Sequence, residues 1–294
     1  MINTEVKYGL SDVVMLPAPV SSVSSRSQCC PFDASGMLPL ITSPMYSVVN
    51  AGNIHLYTNA KIYGIFPRGS SEIRPLAHTF VAYGLDEFID RVRDAKEPKP
   101  EDPVEHALID IANGNMKKLL DAVGDAKAKF GERIVIMAGN IAHPETYDGL
   151  SRAGADYVRL GIGSGQACTT SANCSVHYPM ASLIDACLAL KRARGLRAKI
   201  IADGGFRNFD DIIKALGLGA DLVMLGSIFN KALESAGATY VKSTVDMGSD
   251  RRQGLKGGYK VDQFSPEISE AFKNGLDLIK EYYGMSTKRA QREM

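Results

Sequence analysis

From Lys199 to Ser227 the chain reads KIIADGGFRNFDDIIKALGLGADLVMLGS, and this stretch limits the folds open to it more than any other. The apolar runs IIA and LVML are bounded by turn residues, and between them Ile212, Ile213, Leu216 and Leu218 recur at near-helical spacing. The order is strand, Asp-Gly-Gly turn, amphipathic helix, Gly-Ala-Asp turn, strand, Gly-Ser turn, which is a βαβ unit. Glycines just beyond successive parallel strands can cradle an anion with unpaired N–H groups, so Gly204, Gly205, Gly226 and Ser227 are candidate phosphate contacts. Plain loop turns are the commoner use of such glycines.

The same alternation runs along the chain. Eight short apolar runs end in Gly, Pro, Ser, Asn or Asp, at 38–44, 62–66, 79–83, 107–111, 134–139, 157–161, 199–203 and 221–226. Helical patterns fill gaps at 86–94, 116–129, 144–152 and 179–194, and Met180, Leu183, Ile184 and Cys187 read as a core stripe. With 294 residues, 45% of them hydrophobic, the chain is expected to be α/β, a single (β/α)8 barrel domain over 1–294. The Pro- and charge-rich stretch 96–103 is too short to carry an attached module. In such a barrel the reacting groups lie at the C-terminal ends of the strands, and Asp110, Ala112, Asn113, Gly114, Asn140, Cys168, Thr170, Asp203 and Ser227 all fall there. An open doubly wound sheet would also put them at strand ends.

Composition excludes other classes. The formal net charge is +1, with neither a basic stripe for nucleic acid nor an acidic tail. No apolar run approaches membrane-spanning length, and no charged-then-apolar start suggests a secretory signal. The five cysteines have no zinc-site spacing, and the five histidines are scattered, so a reducing, cytoplasmic setting is expected. One cysteine stands out. In GIGSGQACTT (161–170), Cys168 sits in a Gly-rich turn after an apolar strand, where backbone dipoles favour a thiolate; the bland alternative is a glycine-rich loop with an incidental thiol.

Taken together, LSDVVMLPAPVSSVSSRS (10–27), LPLITSPMYSVV (38–49), IDIANGN (109–115), MAGNI (137–141), GIGSGQACTT, IADGGFRNFDDIIKALGLGAD (201–221) and VMLGS (223–227) resemble, in order, segments of the IMP dehydrogenase and GMP reductase family. The resemblance implies a purine nucleotide substrate attacked at C2 by Cys168, with Thr170 beside it, and hydride exchange with a nicotinamide cofactor. It implies that Ser43, Met45, Asn140, Asp203, Gly204, Gly205, Gly226 and Ser227 hold the nucleotide. Asp110, Ala112, Asn113, Gly114, Gly161 and Gly163 would form the cofactor side. Carbonyls of Gly163, Gly165 and Cys168 match a K+ site of some relatives, and a homo-oligomer, a tetramer in relatives, is implied as well.

Departures accompany the matches. Ser164 and Gln166 replace the usual Pro and Ser, Ser171 replaces an Arg, and Phe66-Pro67-Arg68 stands for a His-Lys pair. VDMGS (245–249) resembles the base-binding turn, which makes Met247, Gly248 and Ser249 substrate contacts; YYGMS (282–286) is the alternative match. The first alignment shortens the mobile flap to a remnant at 250–257, leaves Lys256 where the reductases carry a Glu, and leaves the general acid or base unassigned. No regulatory module interrupts 84–106, and IDIANG, SSRS and the step at 177–179 lean toward an NADPH-dependent GMP reductase. ITSPM and MGS lean toward an NAD-dependent IMP dehydrogenase, and the short flap also admits a nucleotide-binding protein without turnover.

Overall fold

The computed structural model describes residues 5–70, 76–99, 101–164, 175–232 and 234–237. Eight parallel strands run in the order β1-β8-β7-β6-β5-β4-β3-β2. They are β1 (Leu40–Thr42), β2 (Gly64–Phe66), β3 (Thr79–Tyr83), β4 (Glu105–Asp110), β5 (Ile134–Ile141), β6 (Tyr157–Leu160), β7 (Lys199–Asp203) and β8 (Leu222–Leu225). A bridge between Ile41 and Tyr63 joins the two ends, with Thr42 N–H donating to the Tyr63 carbonyl and Tyr63 N–H to that of Leu40, each at 3.0 Å. The result is the expected (β/α)8 barrel, and every strand overlaps one of the apolar runs read from the sequence.

Among the described residues six α-helices pack outside the strands: α1 (Ile54–Asn59), α2 (Leu85–Asp94), α3 (Lys117–Phe130), α4 (Pro144–Ala153), α5 (Met180–Arg194) and α6 (Phe209–Leu218). No helix lies between β2 and β3 among the described residues, so the loop at 96–103 follows the second described helix. The predicted stripe of α5 is buried throughout, from Met180 to Cys187. None of the described helices is long and apolar enough to cross a membrane.

Because side chains alternate across each strand, the barrel has two separate apolar cores. Ala107, Ile109, Val158, Leu160, Ile200 and Ala202 face outward against the helices. Ile41, Ile65, Phe80, Leu108, Met137, Ile201 and Met224 fill the interior. The same alternation carries the inward face upward to Asp110 on β4, Arg159 on β6 and Asp203 on β7. A packed interior thus forms a rigid floor beneath three charged side chains.

The opposite mouth is plugged by the segment leading to β1. Met37 enters the inner cluster, and Asp33 accepts hydrogen bonds from the Ser35 and Met37 N–H groups at 2.9 and 3.0 Å. The Tyr63 hydroxyl donates to the other Asp33 oxygen, and Ser35 Oγ lies 2.7 Å from that hydroxyl. Burial alone would raise the Asp33 carboxyl, but the hydrogen bonds from Tyr63, Ser35 and the backbone outweigh it and hold it below its ordinary 3.8. A carboxyl depressed in the folded state stabilises above its unfolded value, and that stabilisation is lost as pH falls through the folded one. Asp33→Asn is therefore expected to lower the urea midpoint at pH 7. The gap to wild type should narrow below pH 3.8 and close once the native carboxyl is protonated. A gap of constant size across that range would locate the effect in packing rather than in charge.

Candidate active site

The carboxyl ends of the strands converge on one buried guanidinium. Arg159 is 11% exposed and donates through Nη1 to Asp110 Oδ1 at 2.5 Å and through Nε to Asp203 Oδ2 at 2.9 Å. Burial opposes its charge, but the carboxylates of Asp203 and Asp110 prevail and hold it protonated more firmly than usual. Asn140 Nδ2 donates to the same Asp203 oxygen and to the Gly161 carbonyl, both at 2.7 Å. Among the described residues Asp203 Oδ2 is thus taken twice, and Oδ1 is left to accept from a ligand. On the outer side Arg68, half exposed, reaches Asp110 Oδ2 at 3.3 Å and also donates to the Asp110 carbonyl.

Sequence reasoning missed Arg159. A single Arg in the run YVRL passes for part of an apolar strand, but alternation places Tyr157 and Arg159 on the interior face and Val158 and Leu160 outside. A charge pointing into a closed barrel needs counter-ions, and Asp110 and Asp203 were the inward carboxylates available. Arg68, read only as a departure from a His-Lys pair, is the second cation of the group. Asn140, expected just past its strand, lies within β5. The ladder continues there because Ile111 N–H bonds the Gly139 carbonyl at 2.9 Å and Asn140 N–H bonds that of Ile111 at 2.7 Å.

Glycines bring the surrounding loops close. At Gly161, with φ +126, a Cβ would stand 2.1 Å from the Asp203 carbonyl oxygen. At Gly205, with φ +86, it would stand 2.9 Å from that of Ser164. Ser164 Oγ donates to the Asp203 carbonyl at 3.3 Å, and Ser227 Oγ to that of Phe206 at 3.2 Å. Gly226 lies against Ser43 Oγ and Met45 Sδ, each 3.1 Å from where its Cβ would be, and Ser43 N–H bonds the Leu225 carbonyl at 2.9 Å. The structure therefore gathers Ser43, Met45, Gly204, Gly205, Gly226 and Ser227 into one run of turns beside Asp203. Backbone turns of this kind, with N–H groups free to converge, suit a phosphate.

On the Asp110 side, Gly114 N–H bonds the Asn140 carbonyl at 2.7 Å, which ties the turn carrying the exposed Ala112 and Asn113 to β5. Asp110, this polar turn and the half-exposed Arg68 cation fit an anionic dinucleotide. Gly163, with φ +87, continues the chain from β6, and the described part of that loop ends at Ser164, four residues before Cys168. Gly165, Cys168, Thr170, Met247, Gly248, Ser249 and the stretch 250–257 expected to be a flap remnant lie outside the described residues, and so do two of the three carbonyls, those of Gly165 and Cys168, expected at a K+ site. Among the described residues no group of His, Cys, Asp and Glu could hold a metal ion.

The sequence profile of the IMP dehydrogenase / GMP reductase domain matches residues 87–292. GMP reductase 1 of Homo sapiens is 36% identical over 264 residues, covering 82% of this chain and 74% of that enzyme. GMP reductase of Buchnera aphidicola subsp. Acyrthosiphon pisum (strain 5A) is 30% identical across 94% of this chain and 86% of its own length. Inosine-5'-monophosphate dehydrogenase of Chlorobaculum parvum is 43% identical over 136 residues, which is 46% of this chain and only 27% of that enzyme. With a barrel whose strand ends carry the matched motifs, and relatives spanning most of its length, the chain belongs to the IMP dehydrogenase / GMP reductase family.

Proposed function

We propose that this chain is a GMP reductase, carrying out NADPH-dependent reductive deamination of GMP to IMP through a covalent adduct on Cys168. Its family is one of purine nucleotide oxidoreductases. The observation that carries the reading is the anchored carboxylate of Asp203. Its Oδ2 is fixed by Arg159 and Asn140, and it stands beside glycine turns suited to a 5′-phosphate. A ribose hydroxyl pair bound at Oδ1 and a phosphate in the turns at Gly204, Gly205, Gly226 and Ser227 would place a purine over the barrel mouth. Met45 and Ser43 border the same pocket.

With the nucleotide so held, the Cys168 thiolate adds to purine C2, and the exocyclic C2–N bond breaks as ammonia leaves with protons drawn from water. A dihydronicotinamide, when bound on the Asp110 side, supplies the hydride that C2 receives, and cleavage of the C2–S bond returns the thiolate. Asp110, Ala112, Asn113, Gly114, Gly161 and Gly163 are the residues that would hold it. Arg68 would offer its guanidinium to the anionic part. Matching to GMP reductases supports this direction, since three of them align over 72–86% of their own length.

The dehydrogenase reading, IMP to XMP with NAD, is favoured by the higher local identity to the Chlorobaculum enzyme. The two separate in one assay. Purified protein with GMP and NADPH is expected to lose absorbance at about 340 nm, the reduced nicotinamide band, while IMP with NAD gives no change. Gain of absorbance with IMP and NAD would replace the reductase by the dehydrogenase. Silence in both, with GMP still binding, would leave a nucleotide-binding protein.

A further inference from the structure

A single buried cation serves both halves of this site. Arg159 touches Asp203, beside the nucleotide turns, and Asp110, beside the cofactor turn, with 2.9 and 2.5 Å contacts to one guanidinium. The two carboxylates are not equally provided for. Asp110 has a second cation in Arg68, whereas among the described residues Asp203 is paired with Arg159 alone and is otherwise held by the Asn140 amide. The planar fork of an Arg can satisfy two carboxylates at once, which an ammonium cannot do in the same geometry.

We infer that Arg159 is a positioning residue that couples the two subsites, so that nucleotide and cofactor each bind more tightly when the other is present. The inference rests on the proposed function, which puts the nucleotide ribose at Asp203 and the dinucleotide at Asp110. When ribose hydroxyls donate to Asp203, its demand on the shared guanidinium falls, and Arg159 bonds Asp110 more strongly. The Asp110 carboxylate is then fixed before the second ligand arrives, and the cost of ordering it has already been met. Asn140 reinforces the path, because its side chain holds Asp203 while its carbonyl holds Gly114 N–H. Linkage makes the effect reciprocal.

The chain has no Trp, so titration calorimetry is the suitable readout. GMP and NADP+ form a pair without a hydride donor, and their affinities can be measured singly and together. In wild type, each is expected to tighten the other by about tenfold. Arg159→Lys keeps the charge but not the fork. It is expected to bring that factor close to one, a ratio taken within the variant and so separate from any loss of the single affinities. Asp110→Asn, at the far end of the bridge, is expected to alter GMP affinity severalfold and to remove the cooperativity.

A factor of one in wild type would overturn the inference, as would full cooperativity in Arg159→Lys with both ligands still bound. If Arg159→Lys does not fold, an unchanged GMP affinity in Asp110→Asn would overturn it equally. Wild type that binds NADP+ but no GMP would instead bring down the proposed function, and this inference with it.

Discussion

Cys168→Ala is expected to lose NADPH oxidation with GMP by about a thousandfold or more, while GMP affinity stays within about threefold of wild type. The split follows from where the binding groups lie. Asp203, Asn140, Gly205 and Ser227 are positioned by β5, β7, β8 and their turns, none of which needs the sulfur. The thiol is asked only to form and break one bond to C2. Mass spectrometry should detect an adduct at this position during turnover in wild type and none in the variant. Residual activity within tenfold of wild type would remove covalent catalysis from the reading, even if the nucleotide site were intact.

Gly161→Ala is expected to destabilise the barrel by about 2–4 kcal/mol and to weaken GMP binding by at least tenfold. A Cβ there would sit 2.1 Å from the Asp203 carbonyl oxygen and 2.8 Å from Met180 Cε, on a backbone with φ +126. The Met side chain can turn aside. The carbonyl cannot, because it belongs to the end of β7, and moving it moves the Asp203 carboxylate away from Arg159 and Asn140. Gly195→Ala is the control, since φ is +61 there and nothing lies within 4 Å of the added carbon. Its cost is the left-handed backbone alone, about 1–2 kcal/mol, with GMP affinity unchanged. Urea denaturation and calorimetry compare the two, and equal effects at both positions would show that the close approach at Gly161 does not matter.

The strands were legible because each is a short apolar run stopped by a turn residue, and tertiary packing had little to override. KIIAD and LVML became β7 and β8, with FDDIIKALGL as the helix between. Asp110, Asn140 and Asp203 were legible as strand-end polar residues. Their joint dependence on Arg159 was not, because one Arg inside YVRL leaves the run apolar on average, and only the two-residue alternation of a closed barrel turns that side chain inward. The Asp33–Tyr63 contact was hidden for another reason. It joins positions 30 residues apart through a loop without periodic pattern, and only the closed barrel brings them together. The helix expected in most gaps is absent between β2 and β3 among the described residues, where Gly69 and Ser70 follow Phe66-Pro67-Arg68.

The wall of the barrel is sewn unevenly. Between β4 and β5 six residue pairs stand in register, from Glu105 with Ile134 to Asp110 with Gly139, whereas β1 and β2 meet at one bridge, Ile41 with Tyr63. Parallel strands gain their rigidity from successive rungs, and this seam has few of them, its one bridge flanked by Leu38 N–H to the Lys61 carbonyl at 2.7 Å and Ile65 N–H to Thr42 Oγ1 at 2.9 Å, so it yields before the longer ladders when the structure breathes. The seam runs up to Thr42 and Ser43, so its breathing reaches the turns proposed to hold the phosphate. The carboxylates and Arg159 stand on the firmly stitched side. A nucleotide leaving this barrel would therefore let go phosphate first, pivoting on its ribose.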